Sequence, residues 1–374
     1  MPDLRMDSSP QVFIVAGKAS GDLHGANLAR ELRRIAPDIS RFGIGGPRMH
    51  EVGVELVYSI DQMGLVGFTE ILRHLPFVRR VLKELVEQRR PHLAILIDYP
   101  GFNLRLANVL KKAKISVLYY IGPQVWAWRL RRARKIGDLV DRIAVVFPFE
   151  VDIYRQVGVK VEFVGHPLVE AIEPRFSKEE FCRLLGVSPH SPLPGLLPGS
   201  RRMEVDRLLP IMLEAARLLQ RDEPELQVVL GLAPAIDRAW VEGLIGRNNA
   251  LAKVAEGLTH DVMKHSDLLL VASGTATLEL ACLGTPMVIL YKVGFLSWLI
   301  GKWLIKIPDI GLVNILADHR VVPELVQFDA KPQKVAAVAL PLLRDRSMRE
   351  HIRGELVKVR EKLGPKGLPG TRLR

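Results

Sequence analysis

Five short stretches of this 374-residue sequence concentrate the side chains that could do chemistry. Leu197-Pro198-Gly199-Ser200-Arg201 sets a glycine, which lets the backbone close on a ligand, beside a guanidinium whose forked donors fit a diphosphate. Ser273-Gly274-Thr275-Ala276-Thr277 opens a helical pattern containing Glu279. Backbone N–H groups at such a start, aided by the helix dipole, suit phosphate. Glu279, a turn or so inside, is placed to accept both hydroxyls of a ribose. The plainer reading makes Ser273 or Thr275 a cap and Glu279 a surface acid facing the dipole. Gly17-Lys18-Ala19-Ser20-Gly21-Asp22 matches neither the dinucleotide pattern G-x-G-x-x-G nor the P-loop. It reads equally as an anion-facing turn or as a tight turn capped by Ser20 or Asp22. Asp98 closes an apolar run and precedes Tyr99-Pro100-Gly101-Phe102-Asn103. A carboxylate partly withdrawn from water at a strand end suits general-base work, and a helix-capping role is the alternative.

Pro123-Gln124-Val125-Trp126-Ala127-Trp128 spaces two tryptophans two residues apart, with Arg129, Arg131, Arg132, Arg134 and Lys135 directly after. Such a pairing can stack bases or hold a phosphorylated sugar, although most charge runs are solvated helix faces. Two stretches read as membrane-directed. Leu65, Phe68, Leu72 and Leu75 recur at helical spacing beside Arg73, Arg79, Arg80 and Lys83. Gly294–Pro308 combines Trp298 and Trp303 with Lys302 and Lys306. Interfacial helices have this character, and plain domain core is the competing reading. No Asp-x-Asp, His-x-x-x-His or Cys-x-x-Cys occurs, so no divalent metal and no cofactor is expected. His166, in Gly165-His166-Pro167, reads as a structural histidine at least as readily as a ligand contact.

These stretches need elements to hold them. Short apolar runs alternate with amphipathic ones: strands at Val12–Ala16, His92–Asp98, Ser116–Ile121 and Arg142–Phe147, then Gly195–Leu197, Gln227–Leu230, Asp267–Ala272 and Pro286–Tyr291. Helices are expected at Gly25–Ile35, after Pro100-Gly101, near Val205–Leu219 and at Ala276–Leu283. Strands alternating with helices imply parallel sheets with right-handed crossovers, and two such series imply two doubly wound α/β domains. The boundary is placed at 166/167, giving domains 1–166 and 167–345 and a tail over 346–374. All five stretches then sit at carboxyl ends of strands, where open parallel sheets bind ligands.

The length fits two domains. Hydrophobic residues at 48% and charged ones at 25% exclude a disordered chain. The formal net charge of +12 suits partners that carry phosphate. Two cysteines, Cys182 and Cys282, exclude a disulfide framework. The apolar run at Val12–Ala16 is too short for a signal peptide, and no stretch is long enough for a membrane span. A cytoplasmic setting with one face against a membrane is therefore expected.

Taken together the motifs resemble the lipid-A-disaccharide synthases. The resemblance rests on Ala16-Gly17 with Gly21-Asp22, Gly45-Gly46-Pro47-Arg48-Met49, Ile97-Asp98 with Phe102-Asn103, and Pro123 to Trp128. It continues through Pro148-Phe149-Glu150, Gly165-His166-Pro167, Leu197 to Arg201, Ala272 to Glu279 and Asn314. It implies two facing Rossmann-like domains, the GT-B arrangement, with the nucleotide held by the second. It implies an inverting condensation of UDP-2,3-diacylglucosamine with 2,3-diacylglucosamine 1-phosphate, giving a β-1,6 disaccharide and UDP. On this basis Asp98 is the base, with Ser20 and Asp22 lining its mouth. Gly199, Ser200, Arg201, Ser273, Gly274 and Thr275 take the diphosphate, Glu279 the ribose, and Asn314 a sugar or phosphate. Leu65, Phe68, Leu72, Leu75, Trp298 and Trp303 would meet acyl chains at the inner face of the inner membrane. The family's dimers involve the C-terminal region, so a homodimer is a further implied partner.

Two departures stand out. Lys18 occupies a position where the family normally carries Glu, and the tail from Gly364 to Gly370 is rich in Gly and Pro where a final helix is expected. A UDP-sugar epimerase on the same scaffold, and a basic RNA- or membrane-binding relative without catalysis, remain as alternatives. The excess positive charge is read as serving a diphosphate and an anionic membrane rather than nucleic acid, and the arginine run after Trp128 is left unassigned.

Overall fold

The computed structural model describes residues 10–60, 89–123, 130–294, 298 and 309–365. Within them the chain divides into two compact units, one ending at Pro167 and regained at Gly364, the other Leu168–Leu363.

The first unit opens with β1 (Gln11–Ala16), α1 (Ala19–Ile35), β2 (Ser40–Gly45), α2 (Pro47–Glu51) and β3 (Glu55–Ser59). It continues with β4 (Leu93–Ile97), α3 (Pro100–Lys112), β5 (Ser116–Tyr120), α4 (Leu130–Gly137), β6 (Arg142–Val145), α5 (Pro148–Arg155) and β7 (Val161–Phe163). The strands pair in parallel in the order β3-β2-β1-β4-β5-β6-β7. Both faces are covered, so the central strands β1, β4 and β5 read as continuous apolar runs rather than alternating ones. Phe13 and Val15 point to one core with Phe102 and Leu106 of α3, Ile136 of α4 and Tyr154 of α5. Val12, Ile14 and Ala16 point to the other with Ala26, Leu28 and Ala29 of α1 and Met49 of α2.

The second unit runs α6 (Leu168–Ala171), α7 (Lys178–Leu185), β8 (Pro194–Leu197), α8 (Arg202–Asp222), β9 (Val228–Leu232), α9 (Arg238–Arg247) and β10 (Ala252–Glu256). Then come α10 (Thr259–His265), β11 (Leu268–Ala272), α11 (Ala276–Leu283), β12 (Met287–Tyr291), α12 (Leu312–Ala317), β13 (Glu324–Val326), α13 (Pro332–Arg344) and α14 (Arg346–Lys362). Its parallel order is β10-β9-β8-β11-β12-β13.

Two elements differ from expectation. Helix α1 starts at Ala19, not Gly25, so Ser20 and Asp22 lie in its first turn. Gly21 and Gly25 let the helix lie close: a Cβ on Gly21 would come 3.3 Å from that of Ala16. The stretch from 346, expected as a tail, is helical through Lys362. Asp345 caps it by accepting from Ser347 and Met348 N–H, and Ile352, Leu356 and Val359 bury its inner face. The Gly/Pro-rich part begins only at Gly364, where the chain packs beside Gly165 and Phe163 of the first unit.

Candidate active site

In each sheet the strand order reverses once, between β1 and β4 in the first and between β8 and β11 in the second. The crevice outside the carboxyl ends at such a reversal is where doubly wound sheets bind ligands. The β1 and β4 ends carry Gly17-Lys18 and Asp98-Tyr99; the β8 and β11 ends carry Pro198–Arg201 and Ser273–Thr275.

Asp98 and Tyr99 are both left-handed, with φ of 45° and 46°. Side-chain-bearing residues rarely adopt this region, and two in succession hold strain that their surroundings must enforce. The Asp98 N–H donates to the Tyr120 carbonyl, continuing the ladder with β5. The Asp98 carbonyl accepts from Tyr119 Oη at 2.6 Å and Asn103 Nδ2 at 2.7 Å. Both donors belong to fully buried side chains. The turned backbone leaves the Asp98 carboxylate 38% exposed, 3.9 Å from Lys18 Nζ. Lys18 also lies over the Tyr99 ring, 5.5 Å from its centroid. That ring lies across Gly17 so closely that any Cβ there would overlap it.

Ser20 is exposed beside this mouth. Asp22 is turned away from it: its carboxylate is buried and accepts from the N–H groups of Gly46 (2.7 Å), Arg48 and Met49 (3.1 Å each). That geometry makes it the anchor of the β2–α2 turn. His24 is held below its ordinary pKa by burial, with the nearby Asp98 charge pulling the other way. Burial takes His166 down to about 4, helped by His24. Both imidazoles are therefore neutral around pH 7.

In the second unit Gly199 has φ of 118°, and a Cβ on it would sit 2.5 Å from Glu204 Oε2. The Glu204 carboxylate accepts from Ser200 and Arg201 N–H at 3.1 and 3.2 Å and from the Arg201 guanidinium at 2.9 Å. Arg201 itself is 80% exposed, so this surface pair leaves it free to swing onto an anion. Gly274 and Thr275 are exposed at the start of α11. The Ser273 hydroxyl donates to the Ile310 carbonyl at 3.3 Å. Burial raises the Glu279 carboxyl above its ordinary range, opposed by His260, whose Nε2 is 3.7 Å away.

Asn314 is committed elsewhere. It donates to the Val322 carbonyl and Glu324 and accepts from Val321 and Val322 N–H, which uses its amide's four hydrogen-bonding positions. Glu324 in turn accepts from Ile310 and Gly311 N–H. Asn314 thus braces the loop that Ser273 touches, and the sugar or phosphate contact expected of it has no donor or acceptor left. Trp298 meets Phe328 edge-on at 5.1 Å, packed on its own unit. Leu65, Phe68, Leu72, Leu75 and Trp303 lie outside the described residues, as do Trp126, Trp128 and Arg129. Among the described residues no helix is long and apolar enough to cross a membrane, and no group of three His, Cys, Asp or Glu could hold a metal ion.

Sequence reasoning missed Tyr99, Tyr119 and Glu324. None of the three carries a local signal, whereas Glu204 does, three residues beyond Arg201.

Known proteins share this organisation. The family profile described as lipid-A-disaccharide synthetase matches residues 12–366. The lipid-A-disaccharide synthase of Geobacter metallireducens is 47% identical over 360 residues, covering 96% of this chain and 94% of that protein. That of Nitrosococcus oceani is 44% identical over 361 residues, covering 96% and 93%. Among solved structures, a UDP-GlcNAc 2-epimerase from Neisseria meningitidis aligns with a TM-score of 0.58 at 12% identity, covering 91% of this chain and 93% of that one. The calicheamicin glycosyltransferase aligns at 0.58 and 16%, covering 96% of each, so two parallel-sheet domains of GT-B type are the shared fold. With loops of this composition at both strand reversals and a profile match along nearly its whole length, the chain belongs to the lipid-A-disaccharide synthetase family, glycosyltransferases that form the lipid A disaccharide.

Proposed function

We propose that the chain joins UDP-2,3-diacylglucosamine to 2,3-diacylglucosamine 1-phosphate with inversion, and that Asp98 is the base. The observation that carries this reading is the Asp98 elbow: a carboxylate at a strand reversal, on strained backbone, half open to solvent. The carboxylate takes the proton of the acceptor's 6-hydroxyl as that oxygen attacks the anomeric carbon of the donor. The bond from that carbon to the diphosphate breaks, and UDP leaves with the electron pair. Arg201, the Gly199-Ser200 backbone and the α11 start at Ser273, Gly274 and Thr275 meet its charge. Glu279 accepts from the ribose hydroxyls in this reading. Ser20 contributes a hydroxyl beside the base, and Asp22 acts by holding the β2–α2 turn rather than by touching substrate. The same reading has the enzyme collect its acylated substrates as a peripheral protein on the inner face of the inner membrane, through residues 63–83 and 294–308, and allows a homodimer.

The test is UDP release by purified protein. Release should require both lipid substrates, and Asp98→Asn should lower kcat by at least a hundredfold while calorimetric UDP affinity holds within twofold. Full turnover by Asp98→Asn would remove Asp98 from the mechanism. Epimerisation of the UDP-sugar without acceptor would replace the transferase reading altogether.

A further inference from the structure

The Asp98 carbonyl is an unusual acceptor. Two side chains from different elements, Tyr119 on β5 and Asn103 on α3, converge on that one oxygen at 2.6 and 2.7 Å, and both are fully buried. Asn103 Nδ2 also donates to the Ile97 carbonyl at 3.1 Å, so its amide spans the last strand residue and the base. A carbonyl at the end of a strand could be satisfied by one donor from the following helix. Here the second donor comes from a tyrosine in the neighbouring strand, and the residue it grips is one whose φ of 45° is strained. Relaxation to ordinary extended backbone would swing the carbonyl and the side chain of Asp98 together, because they share one Cα.

We propose that Tyr119 is a positioning residue for the base: its hydroxyl, with Asn103, locks the Asp98 carbonyl so that the left-handed elbow persists and the carboxylate stays aimed into the mouth. This rests on the reading of Asp98 as the base. Three further features fit. The Tyr119 ring lies in the core among Phe13, Val15, Leu96 and Phe102, which fixes where its hydroxyl can reach. Burial, with the Asp98 charge adding to it, holds the phenol well above its ordinary pKa, so it remains a donor at any working pH. The Tyr99 ring, packed directly across Gly17, fixes where the next residue's side chain lies.

Tyr119→Phe removes the hydroxyl and keeps the ring. With the two lipid substrates, kcat should fall about ten- to a hundredfold, the range in which misplacing a catalytic group by about an ångström acts. Both KM values should hold within twofold, because the base is used only in the transition state. Asn103→Ser, which cuts the other bond to the same oxygen, should give the same split and serves if Tyr119→Phe does not fold. A kcat within twofold of the parent in both variants overturns the proposal. So does a loss shared by kcat and both KM values in step with a fall in melting temperature, which marks general damage. Asp98→Asn is run alongside. If it is inactive while both Tyr119→Phe and Asn103→Ser are normal, positioning fails and the base stands; if it is active, the base itself fails.

Discussion

Lys18 bears directly on Asp98, from 3.9 Å, where the resemblance led us to expect an acid. Both side chains reach solvent, so the pair is worth less than about 1 kcal/mol and salt screens it. Lys18→Ala should therefore change kcat less than threefold, with the difference shrinking further at 0.5 M salt. A tenfold loss would give the ammonium a role in the chemistry. Of the residues picked from sequence, Asp98, Arg201, Gly274 and Thr275 lie in the loops after strand ends that their motifs indicated, Asp98 directly after β4 and the others within four residues of β8 or β11. Asp22 and Asn314 spend their side-chain polar atoms on bonds within the protein, and nothing local could have said so. Their partners are 24 to 27 and 7 to 10 residues away.

Elements decide how tightly a loop is held. The β8–α8 turn is set by Gly199 in a conformation closed to other residues and by Glu204, which ties down two successive N–H groups. Gly199→Ala meets both a backbone penalty and the Glu204 carboxylate. It should weaken UDP binding by about 1–3 kcal/mol, read by calorimetric titration, with little change in kcat at saturating donor. Unchanged UDP affinity would separate this turn from the nucleotide. The strand and helix series was legible because apolar runs and helical spacing alternate so regularly. Helix starts were less so. The first two turns of α1 carry glycines that serve close packing, Gly21 on Ala16 and Gly25 on Met49 and Ile97, and α14 was obscured by the Gly/Pro stretch that follows it.

At the scale of the whole molecule, two buried titratable groups of the first unit oppose each other. Glu150 is pushed up to about 8 from 4.5 by burial, with the Phe147 and Val146 N–H groups just before α5 pulling it down. Its contribution is complete below pH 4.5 and is lost as pH rises through about 8. His166, lowered from 6.5 to about 4, contributes above pH 6.5 and loses that as pH falls through 4. Glu150→Gln should raise the melting temperature more at pH 8.5 than at pH 5, by about 2–4 °C for each kcal/mol relieved. Equal shifts at the two pH values would sink this assignment. Two doubly wound units could be read from the sequence, since each repeats the alternation. The order of strands could not, because pairing β1 with both β2 and β4 depends on crossovers that leave no local pattern.

The return of the chain to Gly165 and Phe163 at Gly364 bears on how the protein is made. Domains tend to fold as they emerge from the ribosome, N-terminal part first. Here the contacts of Gly364 with the first unit wait until every residue of the second has been synthesised. The first sheet must therefore stand, for that whole interval, without the segment that closes over the end of β7.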